Sequence, residues 1–191
     1  MRGRCHTRPV GDTFQVLTKR PRRLAKLLSS KEFMRLVLQQ SPPGREPTYV
    51  DAVTEICLDD GLWPLDNVWI GTSIESDEYS WRADELRRAP AAIRFLSLEP
   101  LLGPLPSLDL TGIDWVIVGG ESGPEHRPLA LDWARDIRDR CVDQGVALFF
   151  KQVGGRTPKA GGRQLDGRTW DQLPIRTRAA SDAGGALTRL A

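Results

Sequence analysis

The sequence has no long apolar run and no hydrophobic segment behind its basic N-terminus. No stretch approaches the ~20 consecutive apolar residues that a membrane-spanning helix needs. Residues 1–6 are basic, but the residues after them lack the apolar core of a secretory signal peptide. The sequence therefore predicts a cytoplasmic protein without a membrane partner.

Cysteine and histidine are both scarce. The three cysteines, Cys5, Cys57 and Cys141, are widely spaced and odd in number, which argues against a disulfide framework. The two histidines, His6 and His126, match no metal-ligand spacing. We therefore expect no metal site built from side chains of this chain.

The length and composition fit one globular domain. The chain has 191 residues, of which 40% are hydrophobic and 27% charged. Residues 1–11 have no periodicity and predict a disordered leader, and residues 175–191, rich in Ala, Gly and Arg, predict a disordered tail. The folded domain is expected over residues 12–174.

Short apolar runs alternate with segments of helical periodicity. The strand-like runs are residues 13–17, 68–70, 93–96, 115–118 and 147–150. Segments of helical character follow most of them, with Ser30 able to start a second helix after Pro21 and Gly145 suited to end the helix over 132–144. The alternation predicts an α/β fold with about five parallel strands and outer helices, which also matches part of a TIM-type (β/α) barrel.

Polar residues stand where each apolar run stops. Since the ligand sites of parallel α/β folds are built at the carboxyl ends of the strands, these residues predict one shared site. The candidates for cofactor binding are Thr72, Glu75, Ser97, Glu99, Gly119, Gly120, Glu121 and Ser122. The candidates for binding a substrate or an anion are Thr18, Lys19, Arg20, Lys151 and Gln152.

Each candidate group also has a plainer structural interpretation. Gly119 and Gly120 give a ligand access to the backbone, or they serve a tight turn that requires glycine. The carboxylates Glu75, Glu99 and Glu121 bind amino or hydroxyl groups of a ligand, or they pair with the cations at the other strand ends. The sequence leaves both alternatives open.

Charge is distributed unevenly along the chain. Residues 1–47 hold eleven Lys/Arg against three Asp/Glu, whereas residues 48–153 hold nine against nineteen. A basic N-terminal end attracts nucleic acid or another polyanion, and it also fits a solvated helix face. Neither interpretation is excluded by the sequence.

Five ordered motifs resemble the phage Gp37/Gp68 family, a group of uncharacterised bacterial and prophage proteins. They are Thr-Phe-Gln-Val-Leu-Thr-Lys-Arg-Pro at 13–21, Val-Trp-Ile-Gly-Thr-Ser-Ile at 68–74, Arg-Phe-Leu-Ser-Leu-Glu-Pro-Leu-Leu-Gly-Pro at 94–104, Trp-Val-Ile-Val-Gly-Gly-Glu-Ser-Gly at 115–123, and Phe-Phe-Lys-Gln at 149–152. The resemblance covers about residues 12–174. It implies a radical S-adenosylmethionine-like fold, with S-adenosylmethionine as cofactor and the strand-end residues lining the barrel mouth.

The chain departs from the family pattern at the iron–sulfur motif. The family carries a Cys-x3-Cys-x2-Cys motif for a [4Fe–4S] cluster, and this sequence contains no such motif, so it cannot support the cluster. Relative to the family we expect the chain to be truncated at its N-terminus. A barrel cut in this way would expose an edge strand at residues 13–17 and predicts self-association or a partner chain.

Two functional hypotheses follow. The first is a truncated radical-S-adenosylmethionine-like protein that retains part of a cofactor and substrate face. The second is a non-catalytic binding module, with nucleic acid as a partner for the basic N-terminal end. The sequence assigns no catalytic residue, and whether the chain is an enzyme is left open.

Overall fold

The computed structural model describes residues 12–39, 63–157 and 159–174. Five strands, β1 (Phe14–Thr18), β2 (Val68–Ser73), β3 (Ile93–Leu98), β4 (Trp115–Gly119) and β5 (Ala147–Gln152), form one sheet in sequence order. All four neighbouring pairs are parallel. The predicted α/β class with a five-stranded parallel sheet is confirmed.

Four α-helices are described. They are α1 (Pro21–Leu28), α2 (Lys31–Gln39), α3 (Trp81–Arg87) and α4 (Leu131–Gln144), with a 3-10 turn at Asp77–Tyr79 before α3. Pro21 opens α1, and the Ser30 hydroxyl accepts the Phe33 amide at the start of α2, as expected from the sequence. Gly145 ends α4 in the left-handed conformation, with φ 67°. None of these helices is long and apolar enough to cross a bilayer.

The main core lies between the sheet and the helices. Ala25 and Leu28 of α1, Leu86 of α3 and Ile137 of α4 pack with one set of alternate strand residues, which includes Ile70, Leu96, Leu98, Val116, Val118, Leu148 and Phe150. Burial of this set holds the helices on one face of the sheet.

The barrel part of the prediction is not confirmed. The described sheet is open, with β1 at one edge and β5 as the last parallel strand. Beyond β5, residues 170–172 add a short antiparallel connection, in which the Phe150 amide donates to the Trp170 carbonyl at 2.8 Å. β1 is the edge strand that the sequence predicted.

The strands extend further than the sequence indicated. Thr72, Ser97, Gly119, Lys151 and Gln152 were expected just after the strands, and the structure places them inside β2, β3, β4 and β5. The ladder continues past the apolar run because backbone groups pair whatever the side chain, as for Thr18 with Thr72 and Ser73 with Ser97. The predicted leader, the predicted tail and most of a candidate helix at 48–66 lie outside the described residues.

Candidate functional site

The sheet face opposite the helices carries a second apolar cluster, whose members are strand residues. Its buried members are Trp69, Ile93, Phe95 and Trp115, packed with Ile117, Ala147 and Phe149. We call this set the aromatic face. The Trp115 ring is its centre, with its centroid 5.8 Å from that of Trp69, 5.7 Å from Phe95 and 6.3 Å from Phe149. The contacts of Trp115 with Trp69 and Phe149 are edge-to-face, the contact with Phe95 is tilted, and together they hold the rings in a packed floor.

A charged group stands at the carboxyl end of the aromatic face. Lys151 Nζ lies 3.2 Å from Glu99 Oε1, and the Ser97 hydroxyl makes a long 3.4 Å contact to Glu99 Oε2. The Lys151 side chain is 53% exposed and that of Glu99 is 21% exposed. We call Ser97, Glu99, Gly119 and Lys151 the Glu99 site. A half-buried carboxylate with a solvent-accessible cation can exchange its partner for a ligand group.

Gly119 makes room for the Glu99 carboxylate. A Cβ at position 119 would lie 2.6 Å from Glu99 Oε1. At Gly120 a Cβ would lie 1.8 Å from the carbonyl oxygen of Val153, so the absence of a side chain lets two loops meet. Both glycines therefore have a structural reason in this fold, and ligand access through them stays a prediction.

A second charged group lies between β1, β2 and α3. Glu75 accepts Lys19 Nζ at 2.7 Å and Arg82 Nη1 at 3.2 Å, and Arg82 Nη1 also donates to the Ser73 carbonyl at 2.8 Å. Burial opposes ionisation of Glu75, but the hydrogen bond and charge of Lys19, together with Arg82, outweigh it and hold the pKa of Glu75 below its ordinary value. The Tyr79 ring lies 4.1 Å from the Arg82 guanidinium.

A third charged group lies in the loop after β4. Arg127 Nε and Nη2 donate to Glu121 at 2.8 Å each, and the Arg127 amide donates at 2.9 Å. These hydrogen bonds lower the pKa of Glu121 to about 2. Beside them, Gln152 Nε2 donates to the Ser122 hydroxyl at 2.8 Å and to the Gly120 carbonyl at 3.2 Å. This group ties β5 to the β4 loop.

The remaining candidates lie at the first strand end. The Thr72 hydroxyl donates to the Thr18 carbonyl at 2.8 Å, and the Thr18 hydroxyl accepts the Arg20 amide at 2.9 Å. These bonds fix the end of β1 against β2 and lead the chain into α1. The predicted residues thus lie at the end of the sheet where the strands finish. The three carboxylates bind separate cations there.

Arg82 and Arg127 are the two charged residues that the sequence interpretation missed. Arg82 is 8% exposed and reaches the β2 end from the first turn of α3. Arg127 follows Glu121 by six residues in the same loop. A search for cations in the segments directly after each strand, in addition to those at the strand ends, would have found both.

The family of the chain is settled by sequence comparison. A family model described as "Protein of unknown function (DUF5131)" matches residues 6–174. The chain belongs to this family. No curated protein and no solved structure matches it significantly. The shared family places this DUF5131 protein among proteins whose activity is undefined.

The described part of the DUF5131 chain does not fit an iron–sulfur cluster. No group of three His, Cys, Asp or Glu side chains with metal-ligand geometry exists within residues 12–39, 63–157 and 159–174. Cys141, the cysteine in those ranges, is buried in α4 against the main core, and burial raises the pKa of its thiol to about 12. Cys5 and Cys57 lie outside the described residues.

Proposed function

We propose that the carboxyl ends of the strands in this sheet form a site for a small nucleoside-type molecule with a zwitterionic end. S-adenosylmethionine is the ligand that the resemblance to the Gp37/Gp68 family implies. The observation that carries the proposal is the Glu99 site, where a carboxylate, a cation and a hydroxyl stand at the end of a packed aromatic floor. Trp69, Ile93, Phe95 and Trp115 of that floor are buried, so a planar group would contact its partly exposed members, Ile117, Ala147 and Phe149.

The chemistry of the Glu99 site matches the proposed ligand. S-adenosylmethionine carries an amino-acid end with an ammonium and a carboxylate, a sulfonium, and an adenosine. The ligand carboxylate would bind Lys151, and its ammonium or its ribose hydroxyls would bind Glu99, so that the resident ion pair exchanges for two ligand contacts. The adenosine would pack toward the aromatic face.

The finer family assignment belongs to the same proposal. We propose a Gp37/Gp68-like protein whose five strands correspond to part of a radical-S-adenosylmethionine-like barrel, with the recognised motifs at the strand ends as support. We assign no radical step to this chain, because its sequence contains no Cys-x3-Cys-x2-Cys motif and Cys141, the cysteine among the described residues, is buried in the main core.

Calorimetric titration of the full chain with S-adenosylmethionine tests the proposal, with adenosine and methionine titrated separately. We expect Glu99→Gln and Lys151→Met to weaken binding by about 10- to 100-fold, the scale of a lost hydrogen bond to a charged group. Matched controls are Glu85→Gln, which breaks an exposed pair with Arg88 on α3, and Lys26→Met on α1. Absence of binding to the parent chain would refute the proposal.

The alternative function is the binding of nucleic acid at the junction of β1 and α1. The observation that favours it is a run of exposed cations in eight residues, namely Lys19, Arg20, Arg22, Arg23 and Lys26. Fluorescence anisotropy with a labelled oligonucleotide would then show salt-dependent binding that Arg22→Ala with Arg23→Ala weakens. Equal binding by that variant would exclude this surface.

A further inference from the structure

The two edge strands of the sheet, β1 and β5, differ in whether their outer backbone groups are covered. The outer backbone of β5 is covered by residues 170–172, where the Gln172 amide also donates to the Leu148 carbonyl at 3.0 Å. β1 is the opposite edge, and its one partner strand in the described part of the chain is β2. A parallel edge strand of this kind offers its outer backbone groups to another strand.

Three of the five side chains of β1 are apolar, and these three are exposed on both faces of the sheet. Phe14 is 58% exposed, Val16 39% and Leu17 50%. With Leu27, Leu36 and Val37, six of the ten large apolar side chains that are exposed in the described residues lie between positions 14 and 37. Because β1 contains no charged residue and no proline, it lacks the usual protection of a free edge.

The hydrogen-bonding direction of β1 fixes which groups point outward. The Phe14 amide donates to the Asn67 carbonyl at 2.8 Å, so Phe14 and, by alternation, Val16 and Thr18 direct their backbone groups toward β2. Gln15 and Leu17 therefore direct their N–H and C=O groups away from the sheet. With this spacing, an antiparallel partner strand can form a hydrogen-bonded residue pair with Gln15 and another with Leu17, one on each side of Val16.

We propose that two copies of this chain pair through β1 in an antiparallel, two-fold symmetric arrangement centred on Val16. In this register Gln15 of one copy faces Leu17 of the second copy in a hydrogen-bonded pair, and the reverse pair follows by symmetry. Val16 faces its own counterpart at the non-hydrogen-bonded position, and Phe14 faces Thr18 of the second copy. The dimer would then contain a continuous ten-stranded sheet.

Charge complementarity favours a second copy as the occupant. Continued past the strand ends, the same register brings Asp12, two residues before one strand, opposite Arg20, two residues after the other, and both residues are exposed. The symmetry makes this pair twice. A parallel arrangement of the two strands would instead place Lys19 and Arg20 beside the same cations of the second copy, which is unfavourable. The antiparallel arrangement therefore fits both the backbone and the charges of β1.

Cysteine cross-linking tests the register directly. At a non-hydrogen-bonded antiparallel position the two Cα atoms lie about 4.5 Å apart, which is within the range of a disulfide. We expect full-length Val16→Cys to form a disulfide dimer on mild oxidation, with the 16–16 link identified by mass spectrometry. The Leu17→Cys variant should form much less disulfide dimer, because residue 17 faces Gln15 of the second copy. A Leu17 variant that cross-links as well as the Val16 variant would refute this register.

Charge reversal provides an independent readout of the same interface by analytical ultracentrifugation. Asp12→Arg and Arg20→Asp should each weaken the dimer by about tenfold, because each single change creates like-charge pairs, and the double variant should restore it. Val16→Lys should abolish the dimer, whereas Val142→Lys, at an apolar residue 57% exposed on α4, should leave it intact. A monomeric parent chain, or a dimer unaffected by Val16→Lys, would overturn the proposal.

Discussion

Glu99 and Lys151 form an ion pair of 3.2 Å although their strands are not neighbours. Glu99 follows β3, Lys151 lies in β5, and β4 runs between them. The contact crosses β4 at Gly119, where a Cβ would come within 2.6 Å of the Glu99 carboxylate. A single missing side chain thus allows two charged groups to meet at the end of the aromatic face.

The two adjacent glycines should respond differently to alanine. Gly120→Ala would push a methyl group into the Val153 carbonyl at 1.8 Å, and backbone cannot move aside easily, so we expect a loss of about 3 kcal/mol in the free energy of unfolding. Gly119→Ala meets the end of a flexible Glu99 side chain and should cost less than about 1 kcal/mol. Urea denaturation of both variants checks this, and equal losses would contradict the contacts described.

Gly119→Ala should nevertheless impair ligand binding. The methyl group displaces the Glu99 carboxylate from its position above β4 and separates it from Lys151. We therefore expect S-adenosylmethionine to bind the folded variant about tenfold or more weakly than the parent chain. Calorimetry measures this affinity, provided that the variant has a melting curve like that of the parent. An unchanged affinity would mean that the Glu99 carboxylate is not part of the binding site.

Much of this fold is predictable from the sequence, because periodicity reports the strands and helices directly. The parallel pairing and the helix start at Ser30 follow from local patterns, whereas the β1 edge was expected from the resemblance to a barrel family. The strand ends were placed too early, since polar residues such as Thr72 and Gln152 continue the ladder. The sequence pattern shows only apolar residues, whereas the ends of β2 and β3 are buried although they carry polar residues such as Thr72 and Ser97.

The pairing of charges at the site was only partly predictable. The sequence offered Lys19 and Lys151 as partners for the carboxylates, and both are used, with Glu75 and Glu99. Arg82 and Arg127 lie seven and six residues after the carboxylates that they bind, so both were available as candidates in the sequence. Which cation pairs with which carboxylate depends on how the chain turns between them, and the local pattern does not show that turn.

Acid should weaken the fold in part through Glu121. Its pKa is lowered from 4.5 to about 2 by Arg127, so it stabilises the folded state above its unfolded pKa and loses that contribution as the pH falls from about 4.5 towards about 2. Melting temperatures of Glu121→Gln should therefore fall less than those of the parent over this range. Glu125→Gln, at an exposed residue of the same loop, is the matched control. Parallel curves for Glu121→Gln and the parent would contradict this assignment.

Cys141 should be unreactive in the folded chain. Burial raises the pKa of its thiol to about 12, so almost no thiolate forms at mildly alkaline pH, and the side chain is closed off by the core. Iodoacetamide followed by peptide mass spectrometry should leave Cys141 unmodified in the native state and alkylate it in denaturant. Rapid native alkylation would mean that α4 does not pack as described.

A reversal of the Glu99–Lys151 pair tests the central claim most directly. Glu99→Lys with Lys151→Glu keeps an ion pair across Gly119 but inverts its polarity, so a purely structural pair should survive the change. We predict that S-adenosylmethionine raises the melting temperature of the parent chain, and that the double variant folds with a similar melting temperature but shows no shift with the ligand. No shift in the parent, or an equal shift in both proteins, would contradict a ligand site at Glu99 and Lys151.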